Sequence, residues 1–245
     1  MKLSLFFSLL AALLAPPAHA GEFSLSYGSW NYDISGSADS NGSRLDFESD
    51  LGVRAREKSV YLASWDTAPG WWPDLAASYT PIRADGRKVF TRDTTFGGVV
   101  LQRNTSTAFA DADLTDLDLT LRYPARLGSA TVHGGVTVKR LNGEIRVKDE
   151  SDAEENREPI DQTFPMAHLG FGLPLAEWLK LDAAANYVTY HGDQAFDGRV
   201  QAILILGPFS LNAGWQRKAY KVHSNRYLLD AELSGGFAGI GLLIR

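Results

Sequence analysis

Residues 113–123 read DLTDLDLTLRY, and their alternation restricts what the chain can build. Leu117, Leu119, Leu121 and Tyr123 are apolar, while Asp116, Asp118, Thr120 and Arg122 between them are polar. A period of two gives a β-strand with one face for oil and one for water. The pattern returns as Phe23, Leu25 and Tyr27, as Leu179, Leu181, Ala183, Ala185 and Tyr187, and as Val200, Ala202, Leu204 and Leu206. It returns again as Phe209, Leu211, Ala213 and Trp215, and as Tyr227, Leu229, Ala231 and Leu233. No apolar 3.6-residue period persists for three turns after residue 20. The chain therefore reads as all-β, with ten strands near 22–35, 57–66, 74–83, 112–124, 129–145, 161–173, 178–190, 196–206, 208–221 and 226–244. The first strand changes parity, from Phe23, Leu25 and Tyr27 to Trp30, Tyr32 and Ile34, which predicts a bulge near Gly28.

The first twenty residues, MKLSLFFSLLAALLAPPAHA, carry one lysine, an apolar run to Ala15 and a small-x-small end at Ala18–Ala20. This predicts a signal peptide over 1–20, cleaved after Ala20, and a single domain over 21–245. Removing Lys2 leaves 23 Lys+Arg against 29 Asp+Glu, net −6, which argues against a nucleic-acid partner. The chain has no cysteine, so neither disulfides nor thiolate metal sites are available. No later apolar run reaches helix-spanning length. If the exported chain enters a membrane, it does so as a closed barrel, because an open sheet edge leaves backbone groups unpaired in lipid.

Connector lengths alternate. TAPGWWP, ARLG, PLAE and GP are short, whereas 36–56, 84–111, 146–160, 191–195 and 222–225 are the longer, polar set. Short periplasmic turns and longer external loops mark outer-membrane barrels. The 84–111 segment is too long for bare coil and predicts strand extensions or a folded-in loop. Trp71, Trp72, Tyr123, Phe171, Trp178 and Phe209 fall near the short turns; Trp30, Tyr32, Tyr187, Tyr190, Trp215 and Tyr227 fall near the long loops. Two such belts suit the two membrane interfaces. The expected fold is a single ten-stranded antiparallel up-and-down transmembrane β-barrel. Its lumen is narrow at this strand number. The polar parity predicts a lumen charge network of Asp116, Asp118, Arg122, His133, Lys139, His168, Lys180, Asp182, Arg199, Lys218, Asp230 and Glu232. A soluble lipocalin-like barrel, with the apolar face inside, is the competing architecture.

Three stretches add a resemblance. DLTDLDLTLRY, GGVTVKRLNGEI (134–145) and FPMAHLGFGLPL (164–175), with the Trp-Pro turn and the acidic loop before FPM, resemble a family of Gram-negative outer-membrane β-barrel proteins with no assigned activity. The likeness covers 21–245 and implies residence among outer-membrane lipid and lipopolysaccharide. The C-terminus is similar to the signal read by the barrel assembly machinery, with Gly239, Leu242 and Ile244 at its places. It departs from that signal in ending Ile244-Arg245 and in placing Phe237 where a polar residue is usual.

Catalytic motifs are absent, and the reading assigns no catalytic residue, metal or cofactor. The expected role is non-enzymatic: structural, at the cell surface, or permeation of small solutes. The enzymatic alternative is an omptin-like or lipid-modifying enzyme at the outer rim, built from Asp111, Asp113, Asp116 and Asp118 with His191 and Asp193, since carboxylates and an imidazole activate water. The segment 144–161 holds eight acids and three bases and reads as a solvated outer loop, with divalent cations bridging it to lipopolysaccharide phosphates as the alternative.

Overall fold

The computed structural model describes residues 21–40, 43–67, 72–96, 98–150, 155–223 and 227–244. The leader with its cleavage point and Trp71 lie outside the described residues, and the side chain of Tyr227 is likewise not described. The strands are β1 (Glu22–Ser40), β2 (Ser43–Asp46), β3 (Arg54–Glu57), β4 (Ser59–Asp66), β5 (Asp74–Val89), β6 (Thr94–Phe96) and β7 (Val99–Leu101). They continue with β8 (Thr107–Leu127), β9 (Ala130–Asp149), β10 (Glu155–Ala176), β11 (Leu179–Tyr190), β12 (Asp193–Leu206), β13 (Phe209–His223) and β14 (Tyr227–Ile244).

Ten wall strands close into one antiparallel barrel. Each pairs with its neighbour in sequence, and β14 returns to β1 through a ladder running from Phe23–Ile244 to Ser40–Tyr227. β3 and β4 make one wall strand interrupted at Lys58. β2 folds back on β1, and β6–β7 is a separate hairpin. Short connectors and both ends of the barrel chain lie at one end, here called the lower end. The walls rise further at the other end than the alternation predicts: β5 reaches Val89, β8 begins at Thr107, and β10 begins at Glu155. The 84–111 segment supplies both wall extensions and the β6–β7 hairpin.

The outer surface carries a band of exposed apolar side chains, including Leu169 and Ile240, each 62% exposed, and Val200 and Phe209, each 61% exposed. Leu119, Leu121, Val136 and Val138 continue it. Such a continuous band on a closed sheet is a lipid-facing surface and excludes the soluble lipocalin-like arrangement. Tyr123, Trp178 and Phe209 are exposed near its lower edge. Higher up, Tyr27, Tyr61 and Tyr79 form a row on the outer face, with ring centroids 5.1 and 5.8 Å apart. Exposed Tyr187 and Trp215 lie on other strands of the same wall.

The bulge expected near Gly28 is not formed. Both ladders of β1 run through Gly28 without a shift. A Cβ on Gly28 would stand 2.7 Å from the carbonyl oxygen of Ala238, so this glycine lets β14 approach closely. Ser24, Ser26, Gly28, Trp30 and Tyr32 all share the inward parity. Trp30 and Tyr32 are therefore buried in the barrel rather than placed in an outer belt. What changes at Gly28 is the chemistry of the interior, from polar below to apolar above.

Arginine in place of Leu119 tests the outer face. Leu119→Arg is expected to destabilise the barrel by about 2–4 kcal/mol, against about 0–1 for Thr189→Arg, which is outward but near the upper rim. Urea unfolding in lipid vesicles measures both.

Candidate functional site

Asp116 and Asp118 point inward from β8 because they share one parity, and Lys139 on β9 lies in register with Asp118. Lys139 Nζ sits 2.8 Å from Asp116 Oδ1, 2.7 Å from Asp118 Oδ1 and 3.2 Å from Asp197 Oδ2. Lys218 reaches in from β13, five strands round the ring of ten and so on the opposite wall. Its Nζ is 2.8 Å from Asp116 Oδ2 and 3.3 Å from Asp197 Oδ2. The Tyr220 hydroxyl donates to Asp116 from above, and Ser78 donates to Asp118 at 2.8 Å. Both ammonium groups are fully buried. Burying a charge is tolerated only where opposite charges and hydrogen bonds replace water. Three carboxylates and two lysines thus tie the opposing walls together across the lumen.

Below this cluster lies a polar cavity of about 170 Å³, lined by Arg122, His133, His168, Lys180, Asp182 and Arg199 among others. Arg122 pairs with Asp66 at 2.6 Å, His168 Nδ1 meets Asn186 Oδ1 at 2.7 Å, and Gln201 donates to Asp182 at 3.1 Å. Thr120 and Thr137 hydroxyls share a hydrogen bond of 2.8 Å directly across the β8–β9 ladder.

Above the cluster, the same inward parity carries Ala110, Ala112 and Leu114 on β8 and Leu141, Ile145 and Val147 on β9. Ile160, Phe164 and Met166 on β10 and Leu229 and Leu233 on β14 continue the apolar interior. The β8, β9 and β14 residues among these surround an apolar cavity of about 90 Å³ whose floor includes Tyr220. Leu45, Phe47 and Leu51 from the first outer loop and Phe96 from β6 also line it, as a lid. The lid turn is held by Asp46, whose carboxylate accepts backbone N–H groups of Ser49 and Glu48 at 2.7 and 3.1 Å. Those bonds, Ser49's first, hold its carboxyl below the ordinary aspartate range.

Ten of the twelve residues expected in the lumen point into it: four in the central cluster and six around the lower cavity. Asp230 and Glu232 do not. They lie on the outer face of β14, where Glu232 pairs with Arg217 at 2.8 Å. The physical reason is that Leu229 and Leu233 fill an apolar upper lumen, so on β14 the apolar parity is the inner one. Asp197 and Tyr220 were missed. Asp197 shares the parity of Arg199 and Gln201, a usable signal; an inward tyrosine hydroxyl leaves no mark in an alternation pattern.

The rim acids do not gather around His191. Asp113 faces outward against Arg83 at 3.5 Å, and Asp111 shares that outward parity. Asp116 and Asp118 are held by the two lysines. His191 (φ 52°) and Gly192 (φ 92°) form the two-residue turn between β11 and β12, which requires positive φ at both positions. Asp193 instead accepts from the backbone N–H of His223 at 2.7 Å and lies 3.1 Å from its Nδ1.

The outer membrane protease OmpT from Escherichia coli superposes with a TM-score of 0.58 at 9% identity, covering 94% of this chain and 99% of that one. The fold is that of the outer-membrane β-barrels. The translocator domain of the autotransporter NalP from Neisseria meningitidis gives 0.43 at 13% identity, over 99% of this barrel and 94% of that chain. Ail, the attachment invasion locus protein of Yersinia pestis, gives 0.38 at 11% identity over 91% and 99%. No family model and no curated protein matches the chain.

Removing Lys139 leaves three buried carboxylates to one lysine and takes from Asp118 the ammonium 2.7 Å away. Lys139→Met is expected to destabilise the barrel by about 3–5 kcal/mol. Arg217→Ala, which breaks an outer-face pair, is expected to change it by less than about 1 kcal/mol. Urea unfolding followed by heat-modifiable gel migration separates the two.

Proposed function

We propose that this protein is an integral outer-membrane barrel with a non-enzymatic role, and that it holds its lumen shut rather than acting as an open pore. The observation that carries this reading is the ion cluster of Asp116, Asp118, Asp197, Lys139 and Lys218, which stands between the lower and upper cavities. A solute crossing the barrel must separate these charges in a space with little water, which is unfavourable. Small-solute permeation then requires the cluster to rearrange, and the resting barrel serves a structural or surface-binding role. Export follows cleavage after Ala20, and 21–245 is the barrel domain. Outer-membrane lipid and lipopolysaccharide contact the apolar band. The barrel assembly machinery reads the last strand, where Leu242 and Ile244 face outward beside β1.

Planar-bilayer recording tests the seal. The native barrel is expected to show no steady conductance steps, and Lys139→Ala/Lys218→Ala, verified as folded by heat-modifiable migration, is expected to conduct. Steady porin-sized steps from the native protein would overturn the reading, whatever the double variant does.

A further inference from the structure

The lower cavity exists because several inward positions around it carry little side chain. Ser24 and Ser26 on β1, Ala76 and Ser78 on β5, and Gly170 and Gly172 on β10 all line it. A Cβ on Gly172 would stand 3.0 Å from Lys180 Cε, and one on Gly170 would stand 3.2 Å from His168 Nε2, so the two glycines make room for longer side chains. The lining runs from Asp118 and Asp197, beneath the ion cluster, down to Glu22, Asp66 and Leu243 at the lower end of the barrel. The Asp66 side chain is 38% exposed there, so the cavity meets solvent from below and needs no passage through the cluster.

The charges inside this mouth balance in number but are not joined. Arg122 is taken up by Asp66 at 2.6 Å. Lys180 and Arg199 make no hydrogen bond or ion pair among the described residues. Asp182 accepts from Gln201 at 3.1 Å and pairs with no cation among the described residues. The cluster above holds three carboxylates against two lysines, a formal charge of −1. Two positive charges, on Lys180 and Arg199, thus stand against two negative ones, on Asp182 and in the cluster. Asp182 is in register with Gln201, two residues along β12 from Arg199. Arg199 and Asp182 are therefore diagonal neighbours, about 7–8 Å apart at the backbone. Gln201 Oε1 and Asn212 Oδ1 add two buried acceptors without a hydrogen-bond partner among the described residues. Water can satisfy such amide oxygens, whereas separated charges in a confined space gain more from groups of opposite charge.

Size narrows the choice of guest. The cavity of about 170 Å³ has the liquid volume of about five or six waters, room for a molecule of about as many non-hydrogen atoms. An anion of that size answers Arg199 and leaves Asp182 beside it, and a cation does the reverse. A molecule with a carboxylate and an ammonium on neighbouring atoms answers both.

We propose that the lower cavity binds a small zwitterionic α-amino acid of the size of glycine or alanine, its carboxylate on Arg199 and its ammonium on Asp182. The inference goes beyond the sealed-barrel reading and does not depend on it. Bilayer recording reports the seal and ligand binding reports the site, so either can fail alone.

Saturation-transfer difference NMR on the folded barrel in deuterated detergent tests the site, with L-alanine as the probe. Propionate and ethylamine, which each keep one of its two charges, are the comparison probes. The native barrel is expected to saturate the alanine methyl group and to give signals at least fivefold weaker for either analogue at equal concentration. This comparison needs no variant. Arg199→Met and Asp182→Asn are each expected to lower the alanine signal at least fivefold. Ala184→Leu, at the inward position opposite Arg199 in the β11–β12 register, is expected to abolish it. Ala202→Leu, on the outer face, should leave it unchanged, and heat-modifiable migration confirms that each variant is folded. No alanine signal from the native barrel, an equal signal from either analogue, a signal that survives any of the three inward substitutions, or a loss shared by Ala202→Leu would overturn the proposal.

Discussion

The ladder that joins β14 to β1 is the constraint on which everything else rests. A sheet in lipid has no water to satisfy an open edge, so the strands must close on themselves. Closure gives every strand one face toward lipid and one toward a confined interior. Whatever polar groups share the inward parity are then forced together, with few partners besides each other. The contacts of Lys139 and Lys218 with Asp116, Asp118 and Asp197 follow from that confinement.

The interior is layered along the axis. Polar residues fill the lower half, buried ion pairs cross the middle, and an apolar chamber fills the upper half under the lid. The walls extend well past the lipid-facing band, so the upper chamber is a protein core raised above the membrane rather than part of the span. That explains why it is apolar: it must hold its walls and lid together by burial, as a soluble domain does. The barrel combines two folding regimes in one sheet, lipid-driven outside and water-driven inside its upper extension.

Much of this was legible in the chain. The alternation located ten strands, and the connector lengths assigned the ends. Ten of the twelve charged or histidine positions expected in the lumen face it. The misreadings share one cause. On β1, Trp30 and Tyr32 suggested a parity shift; on β14, Leu229 and Leu233 suggested a lipid-facing row. In each case the strand alternates without interruption, and the interior itself changes from polar to apolar part-way up. Residues on two faces that are both apolar give no parity signal, as Val60 and Leu62 against Tyr61 and Trp65 on the second strand illustrate. His191 and Asp193, two positions apart in sequence, suggested a pair, yet the His191-Gly192 turn leaves Asp193 against His223 instead.

Sequence alone determined the secondary structure, the strand count and the closed antiparallel order, because a period of two and the cost of an open edge are local or generic constraints. Only the tertiary structure decided which strands stand opposite one another and therefore that Lys218 meets Asp116 across the lumen. It also decided that, among the described residues, β1 and β3 share no ladder above Trp30. Those outcomes depend on the curvature of a closed wall and on contacts between residues about a hundred positions apart, which no periodicity along the chain encodes.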